Sequence, residues 1–172
     1  MSKKIFCILV IFISLISVSF AEQNSAKDEY GKTAVGFNFQ ATMSSFISGL
    51  TYQQWYENDL GFQVTLGAIS SGNIDFYSAD IQLQKLLCVN NHGRKNLSSL
   101  FVWANTGVSS VEVEVEKNSY ATKPIINLGA GFGFEFVWGK RISIPIKMGC
   151  MGHILNNPGF GLTLGTSVLY RF

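Results

Sequence analysis

The sequence predicts an all-β chain: a closed, eight-stranded antiparallel barrel that crosses a membrane, behind a cleaved signal peptide. Three observations predict it. The chain opens on a secretory leader. After that leader, no apolar stretch is long enough to cross a bilayer as a helix. Yet apolar residues recur at every second position in segment after segment, which is the period of a strand with two unlike faces. In a bilayer every backbone polar group must be satisfied internally. A chain without spanning helices therefore crosses only as a closed barrel.

The leader has Lys3 and Lys4, an unbroken apolar run from Ile5 to Ile13, and further apolar residues among serines to Phe20. Small residues at Ser19 and Ala21 mark a cleavage site. The expected organisation is a signal peptide over 1–21, a short polar segment over 22–31, and a barrel over 32–172. A membrane-anchoring helix is the competing reading; the short span and the cleavage site oppose it. Cys7 comes too early to be a lipid-bearing cysteine. Removing two leader lysines leaves 11 basic residues against 11 acidic ones. No basic field points to nucleic acid. Cys88 and Cys150 make at most one pair, so there is no disulfide framework. No CxxC, His-rich tract or metal-ligand spacing is present, and no cofactor is expected.

The strands follow in order. The first spans about 33–42, with Val35, Phe37, Phe39 and Ala41 outward. The second spans about 47–57, with Leu50, Tyr52 and Tyr56 outward and Gly49, Thr51, Gln53 and Trp55 inward. The third sets Leu60, Phe62, Val64, Leu66 and Ala68 against Gly61, Gln63, Thr65 and Gly67. The fourth spans about 74–87, with Asp80, Gln82 and Gln84 inward. The fifth begins near Leu97, with Leu100, Val102 and Ala104 outward and Phe101, Trp103 and Asn105 inward. The sixth sets Leu128, Ala130, Phe132, Phe134, Phe136 and Trp138 against Asn127, Gly129, Gly131, Gly133 and Glu135. The seventh spans about 141–149, with Ile142, Ile144, Ile146 and Met148 outward. The eighth has Phe160, Leu162, Leu164, Thr166, Val168, Tyr170 and Phe172 on one face and Gly161, Thr163, Gly165, Ser167, Leu169 and Arg171 on the other.

The second face is mostly Gly, Thr, Ser and Gln. A soluble sandwich would put charges there, whereas the inside of a narrow barrel needs small and uncharged groups. Phe132, Phe134, Phe136, Leu162 and Leu164 are the expected lipid-facing residues. An even strand number puts both chain ends on the periplasmic side, with longer loops outside. Glu57-Asn58-Asp59 and Gly139-Lys140-Arg141 read as tight periplasmic turns, and Val89 to Asn96 as a longer one. The outer loops fall at about 43–46, 70–73, 109–124 and 150–158. Two features strain the pattern. Pro145 lacks a donor inside strand seven, where a bulge or local break is expected. Val111 to Glu116 alternates strictly but carries three acids that suit no lipid face, so strand five should continue above the membrane into a hairpin.

Val168-Leu169-Tyr170-Arg171-Phe172 resembles the terminal targeting strand of bacterial outer-membrane barrels: a final Phe172, an aromatic at Tyr170, and apolar alternation back through Val168. As an overall pattern, nearly the whole mature chain resembles the small eight-stranded group that includes the OmpA transmembrane domain, OmpX and OmpW. The resemblance implies residence in the outer membrane, contact with its lipid, and recognition of the last strand by the barrel-assembly machinery. It also admits an extracellular ligand or envelope partner.

Asp80, Glu135, Lys147 and Arg171 are the expected lumen charges. Glu135 and Arg171 both fall near the periplasmic end, and an unpaired charge there would be costly. They form either a paired structural plug or a gate. Some barrels of this size act on lipid A with His, Ser and an acid. Here His92 falls in a polar turn and His153 in an outer loop, without a His-x-Ser spacing. The expected role is therefore not enzymatic: a surface protein acting through its outer loops, with a narrow channel for small or apolar solutes as runner-up and a lipid-modifying enzyme third. Strand directions put Cys88 and Cys150 at opposite ends of the barrel, too far apart for a disulfide.

Overall fold

The computed structural model describes residues 33–42, 46–56, 59–71, 74–92, 96–115, 119–154 and 158–172. The expected signal peptide and polar segment, and Glu57 with Asn58, lie outside the described residues. Eight antiparallel strands pair in sequence order, and β1 closes on β8. They are β1 Thr33–Thr42, β2 Phe46–Trp55, β3 Leu60–Ser71, β4 Ile74–Asn91, β5 Leu97–Val115, β6 Ser119–Trp138, β7 Ile142–His153 and β8 Gly159–Arg171. The alternation expected in every strand is the alternation observed, because closure leaves each strand one inner and one outer face.

Both ends of the barrel have a clear character. The tight turns, Thr33 and Phe172 share one end, here the turn end. At Gly139 and Lys140 both φ angles are positive, 58° and 64°, and Arg141 N donates to Trp138 O at 3.1 Å. This backbone twist matches that of the flanking strands. The opposite, hairpin end belongs to β5 and β6. These strands of 19 and 20 residues stay paired from Leu97↔Val137 to Val115↔Ser119.

Several boundaries differ from expectation, mostly toward longer ladders. Strand four runs on to Asn91, so the turn before β5 shortens, with His92 N bonded to Asn96 O at 2.9 Å. A shift of register between Leu86 and Cys88 lets Leu86 and Val89 both point inward. The loop expected at 109–124 is mostly ladder, and strand seven continues to His153. Strand two ends at Trp55, two residues earlier than expected. Cys88 and Cys150 are both free thiols, Cys150 in mid-ladder rather than at the strand's exit.

The two prolines that lie within strands are accommodated differently. Pro145 pairs with Glu135 on β6, but the β7–β8 ladder skips from Ser143↔Leu169 to Ile146↔Thr166 with no change of register. This is a local break without a bulge: only the bonds facing β8 are lost. Pro124 lies in β6 where it pairs with β5 alone, since β7 joins only at Asn127. Ile126 O accepts from Ile154 N on the β7 side, so Pro124, two residues away, points its missing donor to that same, unpaired side.

The outer wall carries a broad apolar belt that includes Leu50, Leu66, Leu83, Phe134, Leu162 and Leu164. Aromatics gather at both rims. Phe136–Trp138 and Tyr170–Phe172 stand at the turn end, and Phe39–Phe46–Phe76 at the hairpin end. So wide an exposed apolar surface is stable only when lipid covers it.

Candidate functional site in the lumen and at the hairpin end

The lumen is filled by side chains from all eight strands. Toward the turn end, Trp55, Leu86, Val89, Leu97, Phe101 and Val137 form an apolar plug, with Trp103 above it. Glycines in β6 and β7 make room for its aromatic members. A Cβ built on Gly131 would lie 2.8 Å from the Trp103 ring and one on Gly149 2.7 Å from it, while Phe101 covers Gly133 in the same way. Trp103 Nε1 donates to Phe132 O at 3.1 Å, which fixes the indole across those glycines.

Beside the plug runs a polar relay. Arg171 on β8 reaches across the lumen to the Glu135 carboxylate on β6, and also donates to Gln53 Oε1 at 2.9 Å. Ser143 on β7 donates to Glu135 as well. From Gln53 the relay continues to Gln84 at 2.9 Å and on to Gln63 at 3.2 Å. Glu135 and Arg171 are both fully buried, so the pair is a desolvated ion pair, supported by the Gln53 amide and the Ser143 hydroxyl.

Lys147 sits further toward the hairpin end in a different setting. Its ammonium donates to Asn38 Oδ1 at 2.8 Å and Gln82 Oε1 at 3.2 Å, and Ser167 steadies Asn38 at 2.7 Å. Asp80 is within electrostatic reach of Lys147, but its bonded partner is Asn105, whose amide donates at 2.7 Å. The four expected lumen charges thus all point inward, and the structure brings Glu135 and Arg171 into direct contact but not Asp80 and Lys147. The glutamine and asparagine cradle was missed as a unit. Its sequence signal was amides recurring on inward positions of β1 to β4.

His92 lies where expected, exposed in the turn past β4, whereas His153 does not. His153 lies on β7, not in a loop, and is only 6% exposed. Its Nδ1 is 2.7 Å from Asn127 Oδ1, and Asn127 donates to Ser109 Oγ at 3.2 Å. The ladder continues past the expected strand end, so the ring turns inward; Asn127 stands between it and that serine. His92 is exposed at the turn end with Nε2 2.7 Å from Ser98 Oγ. Both are hydrogen-bonded strand-end histidines.

On β8, Val168, Tyr170 and Phe172 face outward near the turn end, and Phe172 N bonds Thr33 O at 3.0 Å. At the other end, Ile74↔Val113 is the last β4–β5 pair, while β5 and β6 continue together. The hairpin therefore rises well past β7, which leaves β6 from Ser119 to Ile125 unpaired on that side, and past β4 by only Glu114 and Val115.

No family model and no curated protein matches the chain. Solved structures do. The N-terminal β-barrel domain of Pseudomonas aeruginosa OprF is similar with a TM-score of 0.58 at 11% identity, over 83% of this chain and 98% of that one. Neisserial surface protein A gives 0.41 at 14% identity, over 82% and 95%. Ail, the attachment invasion locus protein of Yersinia pestis, gives 0.42 at 15% identity, over 83% and 97%. At these identities the likeness is one of fold, and the OprF barrel carries it.

Proposed function

We propose that this chain, which has the fold of the small eight-stranded outer-membrane barrels, is a membrane-anchored surface protein that acts through its β5–β6 hairpin. One observation carries the reading. The two longest strands rise together well beyond β7 and slightly beyond β4, while the lumen beneath them is occupied by a plug and a hydrogen-bonded relay. Chain length has gone into a projection, and the interior has gone into closure. In this reading the turn end and both termini are periplasmic, and the hairpin is extracellular and meets a ligand or envelope partner there. The barrel-assembly machinery reads Val168, Tyr170 and Phe172. The chain does no catalysis.

Orientation is the first thing to test. An epitope tag placed between Glu116 and Lys117 should be reached by antibody on intact cells, and one placed at Gly139 only after the envelope is opened. The reverse pattern would turn the reading upside down. A narrow channel is the second reading. It is favoured by Gln40 Oε1, Gln82 Nε2 and Asn105 Oδ1, buried polar atoms without a protein partner and suited to holding water. The surface reading expects no unitary current from the folded chain in planar bilayers; resolved steps would favour the channel.

A further inference from the structure

A groove of about 1040 Å³ runs along the outer wall at the turn end, across β2, β3 and β4. Its outward-facing lining is Tyr56, Leu60, Phe62, Val64, Ile81 and Leu83, and inward-facing Trp55, Gly61 and Gln84 complete it at the rim. From Leu60 to Val64 it follows roughly 14 Å of strand, at about 3.4 Å per residue. One leaflet of a bilayer core is about 15 Å deep. With barrel strands tilted by about 35–45°, that is about 10–11 Å along the membrane normal, so the groove begins at the rim and stays within one leaflet, room for the head-proximal part of a single acyl chain.

Its rim is polar in a particular way. Gln54 also lines the groove, and its Oε1 accepts from the Tyr52 hydroxyl at 2.6 Å, which leaves the amide nitrogen as a donor toward the groove's polar end. Leu60 pairs across strands with Lys85. Lys85 Nζ stands 4.0 Å from Asp59 Oδ2, with the two side chains 44% and 25% exposed. A cation and an anion so held, open to the surface above an apolar groove, complement a head group with a phosphate beside an ammonium.

We infer that this groove is a phospholipid site: one acyl chain lies along Phe62, Val64 and Leu83, with a zwitterionic phosphoethanolamine head at Lys85 and Asp59. The inference rests on the membrane reading above and goes beyond it, because lipid that merely coats a barrel wall has no fixed place or head-group preference. Lys85 takes the phosphate, Asp59 takes the ammonium, and Gln54 donates to an ester carbonyl. With the turn end periplasmic, the lipid belongs to the inner leaflet.

The test uses the full folded chain, titrated with phosphatidylethanolamine or phosphatidylglycerol and followed by native mass spectrometry. Folding of each variant is read beforehand from its gel shift on heating. The wild type should retain one phosphatidylethanolamine in preference to phosphatidylglycerol by roughly three- to fivefold. Asp59 has a φ of 63°, which asparagine tolerates, so Asp59→Asn should abolish that preference without disturbing the turn. Val64→Trp fills the groove and should remove retention of both lipids; Leu164→Trp, on β8 away from the groove, should change neither. Equal retention of the two lipids by the wild type, undiminished retention by Val64→Trp, or preference for lipopolysaccharide would each overturn the inference. A chain that folds and enters vesicles yet gives those results sinks this site alone. A chain that never enters vesicles sinks the membrane reading, and the site with it.

Discussion

Arg171 and Lys147 are both long cations buried in one lumen, and they are held by opposite means. Arg171 donates from Nη2 to Glu135 Oε1 and to Gln53 Oε1, and Ser143 donates to that same Glu135 oxygen. Lys147 meets only neutral amide oxygens, from Asn38 and Gln82, while Asp80 is bonded to Asn105. The difference follows from the donors. A planar guanidinium matches a carboxylate and still has N–H groups for amides, whereas an ammonium is a compact charge satisfied by any close ring of oxygens. A filled barrel needs each buried charge solvated by something; contact between opposite charges is one way to do it.

The largest effect should come from breaking the contact pair. Glu135→Ala leaves a buried guanidinium without its carboxylate and should lower stability by about 3–5 kcal/mol in urea unfolding from lipid vesicles. Pairing Glu135→Leu with Arg171→Met should recover much of that loss, with a coupling of roughly 0.5–3 kcal/mol in the double-mutant cycle. Additive losses would mean that Glu135 and Arg171 are held independently, as Lys147 and Asp80 are. A smaller effect is expected at the cradle. Lys147→Met removes the charge together with its desolvation and strands the Gln82 oxygen, while Asn38 Oδ1 keeps its bond from Ser167, at about 1–3 kcal/mol. If it costs as much as Glu135→Ala, the long-range attraction of Asp80 is holding Lys147 and the contrast between the two sites fails. The smallest effect should be Ser143→Ala, which takes one hydroxyl from Glu135 and leaves the ion pair in place, at about 0.5–1.5 kcal/mol. A loss matching that of Glu135→Ala would show the hydroxyl, not the guanidinium, to be the principal partner.

The outer wall needs no such arrangement, and that is why it was the more legible region. Phe134, Leu162 and Leu164 face outward because a strand alternates by geometry, and geometry is local. The same parity put Glu135, Lys147 and Arg171 in the lumen, and nearness in sequence to the turn end singled out Glu135 with Arg171. Parity does not give height or azimuth. Which inward residue meets which depends on strand stagger and on register shifts such as that at Leu86 and Cys88, and these are properties of the closed sheet.

Composition and period two thus determined by themselves the fold class, the strand count, the two faces of every strand and the site of the strain at Pro145. Each rests on a single strand's covalent geometry or on a bilayer's intolerance of unpaired backbone groups. Tertiary structure alone decided that Lys147 is cradled by amides rather than by Asp80, that His153 turns inward against Asn127, and that β5 and β6 stay paired to Ser119 while β7 joins only at Asn127. Those outcomes join residues up to 109 positions apart, as between Asn38 and Lys147. No local pattern encodes them, because closing the barrel is what brings the strands together.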